Sequence, residues 1–385
     1  MNANLERLAK IELTRPDLSD LESRYVLQAL ESGRLGGGER FTQLVAGELI
    51  DTLGCPGVVL TTSGTDALEL AAMLLNVGPG DAVVLPSFTF ASVATAFART
   101  GASLRFADIE PATLGLDPES LSSLMDSRVK AVVPVHYAGV ACDLLGIQSV
   151  IRKFENAHLI EDNAHGLFGE FQGRALGTFG PLGATSFHAT KNLVTGEGGA
   201  LLINDPSMAK RAQVLADKGT DRHEFVLGLV DKYTWRDVGS SFILAEPLAA
   251  ILWGQLQRRN EIHGRREVLY NRYLDNLASR TLSGIQLPSD REGCKPVRHL
   301  FYVLCESAAQ RDLLSKELHS VGIGATFHYV PLHSAPAAKT FTDADFHCPV
   351  ADDVSQRLLR LPLHSQMSEA DVDRVCGALA ESVSQ

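Results

Sequence analysis

The sequence has no long hydrophobic run, few cysteines, and fewer basic than acidic side chains. No stretch of about 18 uninterrupted apolar residues occurs, so we do not expect a membrane-spanning helix. The N-terminal segment, MNANLERLAK, contains no apolar core of the kind that a secretory signal requires. We therefore expect a cytoplasmic protein that has no membrane partner.

The six cysteines are scattered singly through 385 residues, and no two of them form a Cys-x-x-Cys pair. Zinc sites and redox-active dithiols usually need such pairs, so the sequence predicts no metal site. We expect the cysteines to be free thiols in a reducing compartment.

The charge balance is acidic, because 35 Lys and Arg residues stand against 46 Asp and Glu residues and give a formal net charge of −11. An acidic surface repels polyphosphates, which argues against binding to nucleic acid. An anionic small molecule would therefore need a local pocket of basic or hydrogen-bonding groups.

Short apolar runs alternate with helical patterns as far as about residue 203. Strands are predicted at residues 82–85, 104–107, 131–135, 158–161, 184–187 and 200–203. Helices are predicted at residues 21–32, 41–53, 65–75, 90–99, 118–125 and 144–154. Near-continuous apolar strands separated by helices indicate an α/β fold, with a mostly parallel sheet covered by helices on both faces.

The C-terminal part of the sequence has a different pattern. A long helical pattern over residues 248–273 is followed by a strand at 300–305, a helix at 308–321 and a final helix at 369–383. We predict a large domain over residues 1–250, which includes an N-terminal arm, and a smaller α+β domain over residues 251–385.

The most informative side chain is Lys191, in the segment SFHATKN at residues 186–192, which GEGG follows at 196–199. A lysine beside glycines at the end of a strand can enter a cleft, where desolvation lowers its pKa and makes the amine nucleophilic. The alternative is an ordinary surface lysine in a turn, which is the commoner situation for an isolated lysine.

The segment LIED at residues 159–162 is an apolar strand that ends in two acids, Glu161 and Asp162. Acidic residues at the carboxyl end of a parallel strand point into the crevice where α/β proteins bind ligands, although a lone Asp there is often a helix cap. Lys191 and Asp162 together would supply two groups that pyridoxal phosphate requires, an amine for the Schiff base and a carboxylate for the pyridine nitrogen.

Two further segments would complete a cofactor site. SGTD at residues 63–66 opens a predicted helix, whose free backbone N–H groups and two hydroxyls can hold a phosphate without positive charge. An ordinary N-cap is the alternative for this segment. PSFTF at residues 86–90 follows a predicted strand, and an aromatic side chain there can stack on a flat ring or pack in the core.

In their order and spacing, these segments resemble the DegT/StrS-type sugar-nucleotide aminotransferases, which are pyridoxal-phosphate enzymes of fold type I. The resemblance covers residues 34 to 364 and is carried by SGTDAL, LPSFTFASVATAF, PVHYAG, LIEDNAHG, SFHATKN, GEGGALLIND, FHYVPLH and LRLPLH. Within that family, PVHYAGVACD, GRALGT and DKYTWRDVGSSF are similar to transaminases that act on dTDP-4-keto-6-deoxyglucose.

The resemblance implies a role for each cofactor contact. Lys191 would form the Schiff base and carry a proton between substrate and cofactor, and Asp162 would pair with the pyridine nitrogen. Phe88 would stack on the ring, and His165 would lie near its 3′-oxygen. The contacts with the cofactor phosphate would come from Gly64, Thr65 and Ser186.

The resemblance also implies a homodimer with shared active sites and a sugar-nucleotide substrate. The family's Gly-x-Asn motif, whose Asn reaches the partner's cofactor phosphate, is Gly239-Ser240-Ser241 here, so Ser241 would make that contact. By resemblance, His328 and Tyr329 would line the sugar pocket. The diphosphate of such a substrate needs positive charge on an acidic protein, and Arg34, Lys218 and Arg222 are the candidates from the sequence, with a solvated charged loop as the alternative.

The sequence thus predicts an aminotransferase that moves an amino group from L-glutamate to a nucleotide-linked 4-keto-6-deoxy sugar. Two alternatives within the family are a 3-keto sugar nucleotide as substrate and a product of gluco configuration. Related sugar dehydratases carry His in place of Lys191, so this lysine argues against dehydration. A regulatory protein that binds pyridoxal phosphate is the alternative outside the enzymes.

Overall fold

The computed structural model describes residues 10–280 and 282–383 of the chain. Residues 1–9 lie outside the described residues. They include most of the segment MNANLERLAK, in which no secretory signal is expected, and the start of the expected N-terminal arm. Within the described ranges, no helix is both long and apolar enough to cross a membrane. The six cysteines form no disulfide, and all but Cys294 are buried.

The strands of the described residues form one seven-stranded sheet and two small sheets. They are β1 Gly57–Thr61, β2 Ala82–Pro86, β3 Ser103–Ala107, β4 Val129–Val132, β5 His158–Asp162, β6 Glu170–Phe171, β7 Arg174–Ala175, β8 Leu182–Ser186, β9 Gly199–Ile203, β10 Cys294–Lys295, β11 Phe301–Leu304 and β12 Leu358–Leu361.

The α-helices surround the large sheet and form most of the C-terminal part. They are α1 Asp20–Glu31, α2 Arg40–Leu53, α3 Gly64–Leu74, α4 Ala91–Ala98, α5 Pro118–Leu124, α6 Leu144–Ile151, α7 Ala209–Ala216, α8 Arg222–Val226, α9 Glu246–Gln257, α10 Arg259–Ala278, α11 Ala308–Ser320, α12 Ala338–Phe341, α13 Pro349–Arg357 and α14 Glu369–Val383.

The large sheet has the strand order β1-β9-β8-β5-β4-β2-β3. Strand β9 is antiparallel to both of its neighbours, and the other adjacent pairs are parallel. The carboxyl ends of β1, β2, β5 and β8 therefore lie at one edge of the sheet. Successive side chains of β2 pack on opposite faces: Val83 and Leu85 join the cluster of α3 and α4, and Ala82 and Val84 join that of α5 and α6. The predicted α/β fold is confirmed.

The C-terminal part has its own hydrophobic core, built on the antiparallel pair β11 and β12. Leu359 and Leu361 of β12 pack in this core with α10, α11 and α14, whereas Leu358 packs with the core of the large sheet. Because side chains alternate along a strand, Arg360 shares the face of Leu358. The predicted boundary between residues 250 and 251 falls within α9, which packs with α2 in a hydrophobic cluster of the large sheet. The division into two domains stays a prediction.

The sequence did not predict the helices α7, α8, α12 and α13 or the short strands β6, β7, β10 and β12, and three further details differ from the predicted elements. Strand β1 was not predicted. Strand β4 ends at Val132, before residue 135, because Pro134 has no N–H for the sheet. The long helical pattern over 248–273 is two helices, which meet at Arg258, where φ is −106° and ψ is 4°.

Candidate active site

A cavity of about 690 Å³ opens at the carboxyl edge of the large sheet, where the C-terminal part covers it. Residues at or just after the ends of β1, β5 and β8 form one side, and the segment between α11 and β12 forms another. The predicted site residues that line this cavity are Gly64, Thr65, Asp162, His165, Ser186, Lys191, His328 and Tyr329.

Lys191 lies in the connection between the antiparallel strands β8 and β9, and its backbone N–H donates to the carbonyl of His188 at 2.8 Å. Desolvation lowers the pKa of the Lys191 amine to about 8, although the carboxylate of Asp162 opposes this shift. The charge of Arg360 adds to the lowering. The amine can therefore gain and lose a proton close to neutral pH.

Asp162 ends β5 with its side chain in the cavity, and only 5% of the residue is exposed. Its Oδ1 accepts a hydrogen bond from the backbone N–H of Ala164 at 3.0 Å. Burial raises the pKa of the Asp162 carboxyl, and this N–H and the charge of Lys191 offset part of that shift. A positively charged N–H group placed against Asp162 would therefore stabilise its ionised form.

Glu161, the other acid at the end of β5, does not reach the cavity. Successive side chains of a strand point to opposite faces, and Glu161 is fully buried on the far face. It accepts hydrogen bonds from the backbone N–H groups of Gly177 and Gly180 and pairs with His136 at 3.0 Å. The expectation that both acids point into the crevice is therefore wrong for Glu161, which anchors the loop before β8.

The N-terminus of α3 approaches the end of β8 so closely that residue 64 must be glycine. A Cβ at Gly64 would lie 2.9 Å from the Cβ of Ser186. Ser63 caps the helix by accepting from the backbone N–H of Asp66 at 3.0 Å. The first N–H groups of a helix have no acceptor within it, so those of Gly64 and Thr65 are available to an anion together with the Ser186 hydroxyl.

His165 supplies a polar atom that has no partner. The residue is 6% exposed, and its buried Nδ1 makes no hydrogen bond with any part of the chain that the structure describes. Its ring packs on that of His299 with centroids 4.2 Å apart, and His299 Nδ1 lies 2.9 Å from Oδ1 of Asn192. Burial lowers the pKa of both imidazoles well below the ordinary value, so both rings are neutral at pH 7.

Two phenylalanines that follow β2 lie in different environments. Phe88, which the resemblance assigns to ring stacking, is 1% exposed and packs against Tyr137 and Tyr329, behind the cavity lining. Phe90 is 61% exposed, precedes α4 and lines the cavity. The geometry therefore favours Phe90 over Phe88 as the side chain that can stack on a bound ring.

Four predicted site residues lie away from this cavity. Arg34 is exposed and pairs with a neighbouring glutamate, and Lys218 and Arg222 both pair with Asp217. Ser241 is exposed, and its backbone forms a bridge with that of Asp217. None of the four lines the cavity, and their roles at a ligand stay predictions.

Two residues that line the cavity, His299 and Arg360, received no role from the sequence. His299 lies in an irregular segment before β11 and carries no recognisable pattern. Arg360 lies in the LRLPLH segment, where the signal was a single charge between two apolar side chains of a short strand. That pattern predicts that Arg360 lies on the face of the strand that points away from the C-terminal core. Only the fold shows that this face of the strand borders the cavity.

The polar groups of the cavity fit pyridoxal phosphate. The N–H groups at the start of α3 suit its phosphate, and Asp162 suits a protonated pyridine nitrogen. The unpartnered Nδ1 of His165 suits the 3′-oxygen, and Lys191 suits the aldehyde.

A sequence profile of the DegT/DnrJ/EryC1/StrS aminotransferase family matches residues 16–380. The chain is 32% identical over 378 residues to the spore coat polysaccharide biosynthesis protein SpsC of Bacillus subtilis, with 96% of each chain covered. It is 33% identical over 380 residues to the dTDP-4-dehydro-2,3,6-trideoxy-D-glucose 4-aminotransferase of Saccharopolyspora spinosa, with 97% of each chain covered.

Solved structures have the same fold over nearly the whole chain. The aminotransferase TlmJ from Streptoalloteichus hindustanus matches with a TM-score of 0.90 at 33% identity, covering 98% of this chain and 99% of that one. Spr1654 from Streptococcus pneumoniae, solved in its PLP form, matches with a TM-score of 0.90 at 26% identity and the same coverage.

Proposed function

The chain belongs to the DegT/DnrJ/EryC1/StrS aminotransferase family, and on that premise we propose that it moves the amino group of L-glutamate to a nucleotide-linked 4-keto-6-deoxy sugar. The protein is a sugar aminotransferase, and pyridoxal phosphate is its cofactor. The proposed substrate is dTDP-4-keto-6-deoxyglucose, and the proposed product is dTDP-4-amino-4,6-dideoxygalactose, which is the reaction of EC 2.6.1.59.

One observation carries this proposal: Lys191 and Asp162 line the same cavity, next to the start of α3. The choice of a 4-keto sugar is supported by the relative from Saccharopolyspora spinosa, which is a 4-aminotransferase of a dTDP-linked 4-keto sugar. The segments PVHYAGVACD and DKYTWRDVGSSF, which resemble transaminases of dTDP-4-keto-6-deoxyglucose, support the same choice.

We propose that the backbone N–H groups of Gly64 and Thr65 and the hydroxyl of Ser186 hold the cofactor phosphate. When it is bound, the cofactor supplies an aldehyde that carries the amino group and a ring that stabilises negative charge on the substrate carbon. Asp162 holds a proton on the pyridine nitrogen by accepting its hydrogen bond. His165 orients the ring through a hydrogen bond between Nδ1 and the 3′-oxygen.

Lys191 moves the proton in the proposed reaction. An amine with a pKa of about 8 can accept a proton from the carbon that bears the amino group and can return it at a later step. Phe90 would cover one face of the ring and exclude water from it. His328 and Tyr329, which line the cavity from the C-terminal part, would contact the sugar.

We propose that the protein is a homodimer in which the segment around residues 225–241 reaches the partner's cavity. This segment exposes large apolar side chains, including Phe225, Leu229, Trp235 and Val238, and such a patch is typical of an interface. In such a dimer, Lys218 and Arg222 would contact the partner's substrate, and Ser241 would contact the partner's cofactor phosphate. Sedimentation of the purified protein tests this arrangement, and a monomer that keeps its cofactor would contradict it.

The function is tested by incubating the protein with L-glutamate and a panel of dTDP- and UDP-linked 3-keto and 4-keto sugars. NMR of the products should show a 4-amino group of galacto configuration on the dTDP sugar. A 3-amino or gluco product would refute the proposed substrate, and failure to aminate any sugar would favour the regulatory alternative. Lys191→Ala should abolish product, whereas Lys210→Ala, which removes an exposed lysine paired with Glu224, should not.

A further inference from the structure

Arg360 is the one permanent positive charge in the wall of the cavity. Among its lining residues in the described part of the chain, Lys191 and Arg360 are the only lysine and arginine. In the proposed function Lys191 is occupied by the cofactor and by proton transfer. We propose that Arg360 binds the α-carboxylate of the amino donor, an inference that rests on the proposed function for the identity of that donor.

The guanidinium of Arg360 has few partners. Its Nε is buried and makes no hydrogen bond with the described residues, and its Nη1 lies 3.4 Å from Nε2 of His328. No Asp or Glu of residues 10–280 and 282–383 forms an ion pair with it. A guanidinium carries five N–H donors, and buried donors without acceptors are unfavourable. Because Arg360 lines the cavity, an anion there could accept hydrogen bonds from its guanidinium.

His328 holds Arg360 without neutralising it. An arginine cannot accept a hydrogen bond, so Nε2 of His328 must be the unprotonated nitrogen that accepts from it. The proton is then on Nδ1, which donates to the Tyr137 hydroxyl at 3.0 Å. Burial lowers the pKa of His328 to about 2, so the ring stays neutral at pH 7. His328 therefore orients Arg360, whose charge remains available to a ligand.

The backbone fixes the position of Arg360. Its N–H donates to the carbonyl of Thr326 at 2.8 Å, and it stands opposite Tyr302 in the β11–β12 pair. The charge is also close enough to the amine to lower the pKa of Lys191. Arg360 and Lys191 also line the same cavity, so a group bound by Arg360 would share that cavity with the amine.

Two substrate groups are anionic, and their chemistry favours the carboxylate. The α-carboxylate of an amino acid is bonded directly to the carbon whose proton Lys191 must reach. The diphosphate of the proposed sugar is attached at C1, across the pyranose ring from the reacting C4. The cofactor phosphate is accounted for by the neutral groups of Gly64, Thr65 and Ser186. A guanidinium also matches a carboxylate with two parallel hydrogen bonds.

The experiment measures ligand binding to the holoenzyme. The first probe is 2-methyl-L-glutamate, which lacks the α-proton and so perturbs the cofactor absorbance without turnover. The second is 4-aminopentanoate, the same molecule without the α-carboxylate, and the third is dTDP, followed by calorimetry. The variants are Arg360→Met and Arg360→Lys, with Arg272→Met as the control, because Arg272 pairs with Asp373 away from the cavity.

We expect Arg360→Met to weaken binding of 2-methyl-L-glutamate by about 10–100-fold, the range for losing hydrogen bonds to a charged group. Binding of 4-aminopentanoate and dTDP should be unchanged, and Arg272→Met should alter none of the three. Arg360→Lys keeps the charge but not the paired donors, so it should recover only part of the loss. If Arg360→Met does not fold, the binding of the three probes to Arg360→Lys tests the proposal instead.

Three outcomes would overturn the proposal. Weaker dTDP binding with unchanged 2-methyl-L-glutamate binding would assign Arg360 to the diphosphate. Equal losses for 2-methyl-L-glutamate and 4-aminopentanoate would show that Arg360 does not recognise the α-carboxylate. Unchanged binding of all three probes would leave Arg360 with a structural role only. A wild-type protein that ignores 2-methyl-L-glutamate would refute glutamate as the donor, which is a failure of the proposed function and is seen before any variant is compared.

Discussion

Alanine at position 64 should damage both the fold and the cofactor site. The added Cβ would lie 2.9 Å from Ser186 Cβ and 3.3 Å from the carbonyl oxygen of Thr185. Both atoms are fixed by the backbone of β8, so neither can rotate away. Overpacking of this kind costs about 1–3 kcal/mol, and the better helix propensity of alanine returns at most about 1 kcal/mol. We expect a net loss of about 1–2 kcal/mol from the free energy of unfolding.

Gly47→Ala is the matched control for Gly64→Ala. Gly47 lies inside α2, and a Cβ there would have no heavy atom within 4 Å. The same substitution should therefore stabilise the protein by about 0.5–1 kcal/mol. Urea denaturation of the two apoproteins measures these changes, and a titration with pyridoxal phosphate measures cofactor affinity, which should fall only for Gly64→Ala. The reasoning is refuted if Gly64→Ala is as stable as the wild type and binds the cofactor equally well.

Two further predictions concern the cofactor site. Phe90→Ala should weaken cofactor binding with little effect on stability, whereas Phe88→Ala should lower the free energy of unfolding by about 3–5 kcal/mol because Phe88 is buried. Urea denaturation and cofactor titration separate the two effects, and the opposite pattern would return the stacking role to Phe88. The rate at which the apoprotein captures pyridoxal phosphate should rise as the pH passes about 8, because only the neutral amine of Lys191 is a nucleophile. Stopped-flow absorbance measures this rate, and a rise centred on the ordinary lysine value of 10.5 would contradict it.

The pKa of Lys191 also affects the stability of the apoprotein. Because the folded-state value is lowered, the unfolded chain binds the proton more tightly, and this group destabilises the fold below pH 8. The penalty should decrease as the pH rises from about 8 towards 10.5 and disappear above it.

Much of the site could be predicted from the sequence because its residues follow short apolar runs. Parallel strands bring their carboxyl ends to one edge, so Asp162 and Ser186 were expected at the same edge of the sheet. The same reasoning could not choose between Phe88 and Phe90, which are two residues apart in one aromatic segment. Packing of Phe88 against Tyr137 and Tyr329 favours Phe90, and that packing involves distant parts of the chain.

Other features depend on contacts that no local pattern shows. Strand β1 follows Pro56 and lies between two predicted helices, so its sequence resembles a connection between them. Glu161 and Asp162 are the last two residues of β5, and because side chains alternate along a strand only one of them can face the cavity. Arg360 could be placed on one face of a strand, but its contact with the cavity requires the C-terminal part to cover the large sheet.

The strand order also determines when the protein can first hold its cofactor during synthesis. Strand β1 comes first in the sequence, yet its partner is β9, and Thr61 pairs with Gly199. A nascent chain that has emerged only as far as α6 lacks both β8 and β9. It therefore has no partner for β1, no Ser186 beside the α3 N-terminus and no Lys191. Pairing β1 with β9 closes a long loop of chain, and the entropic cost of this closure is not offset until β8 and β9 are present. Pyridoxal phosphate thus cannot act as a template for the early steps of folding, and it can stabilise only chains in which the large sheet is already complete.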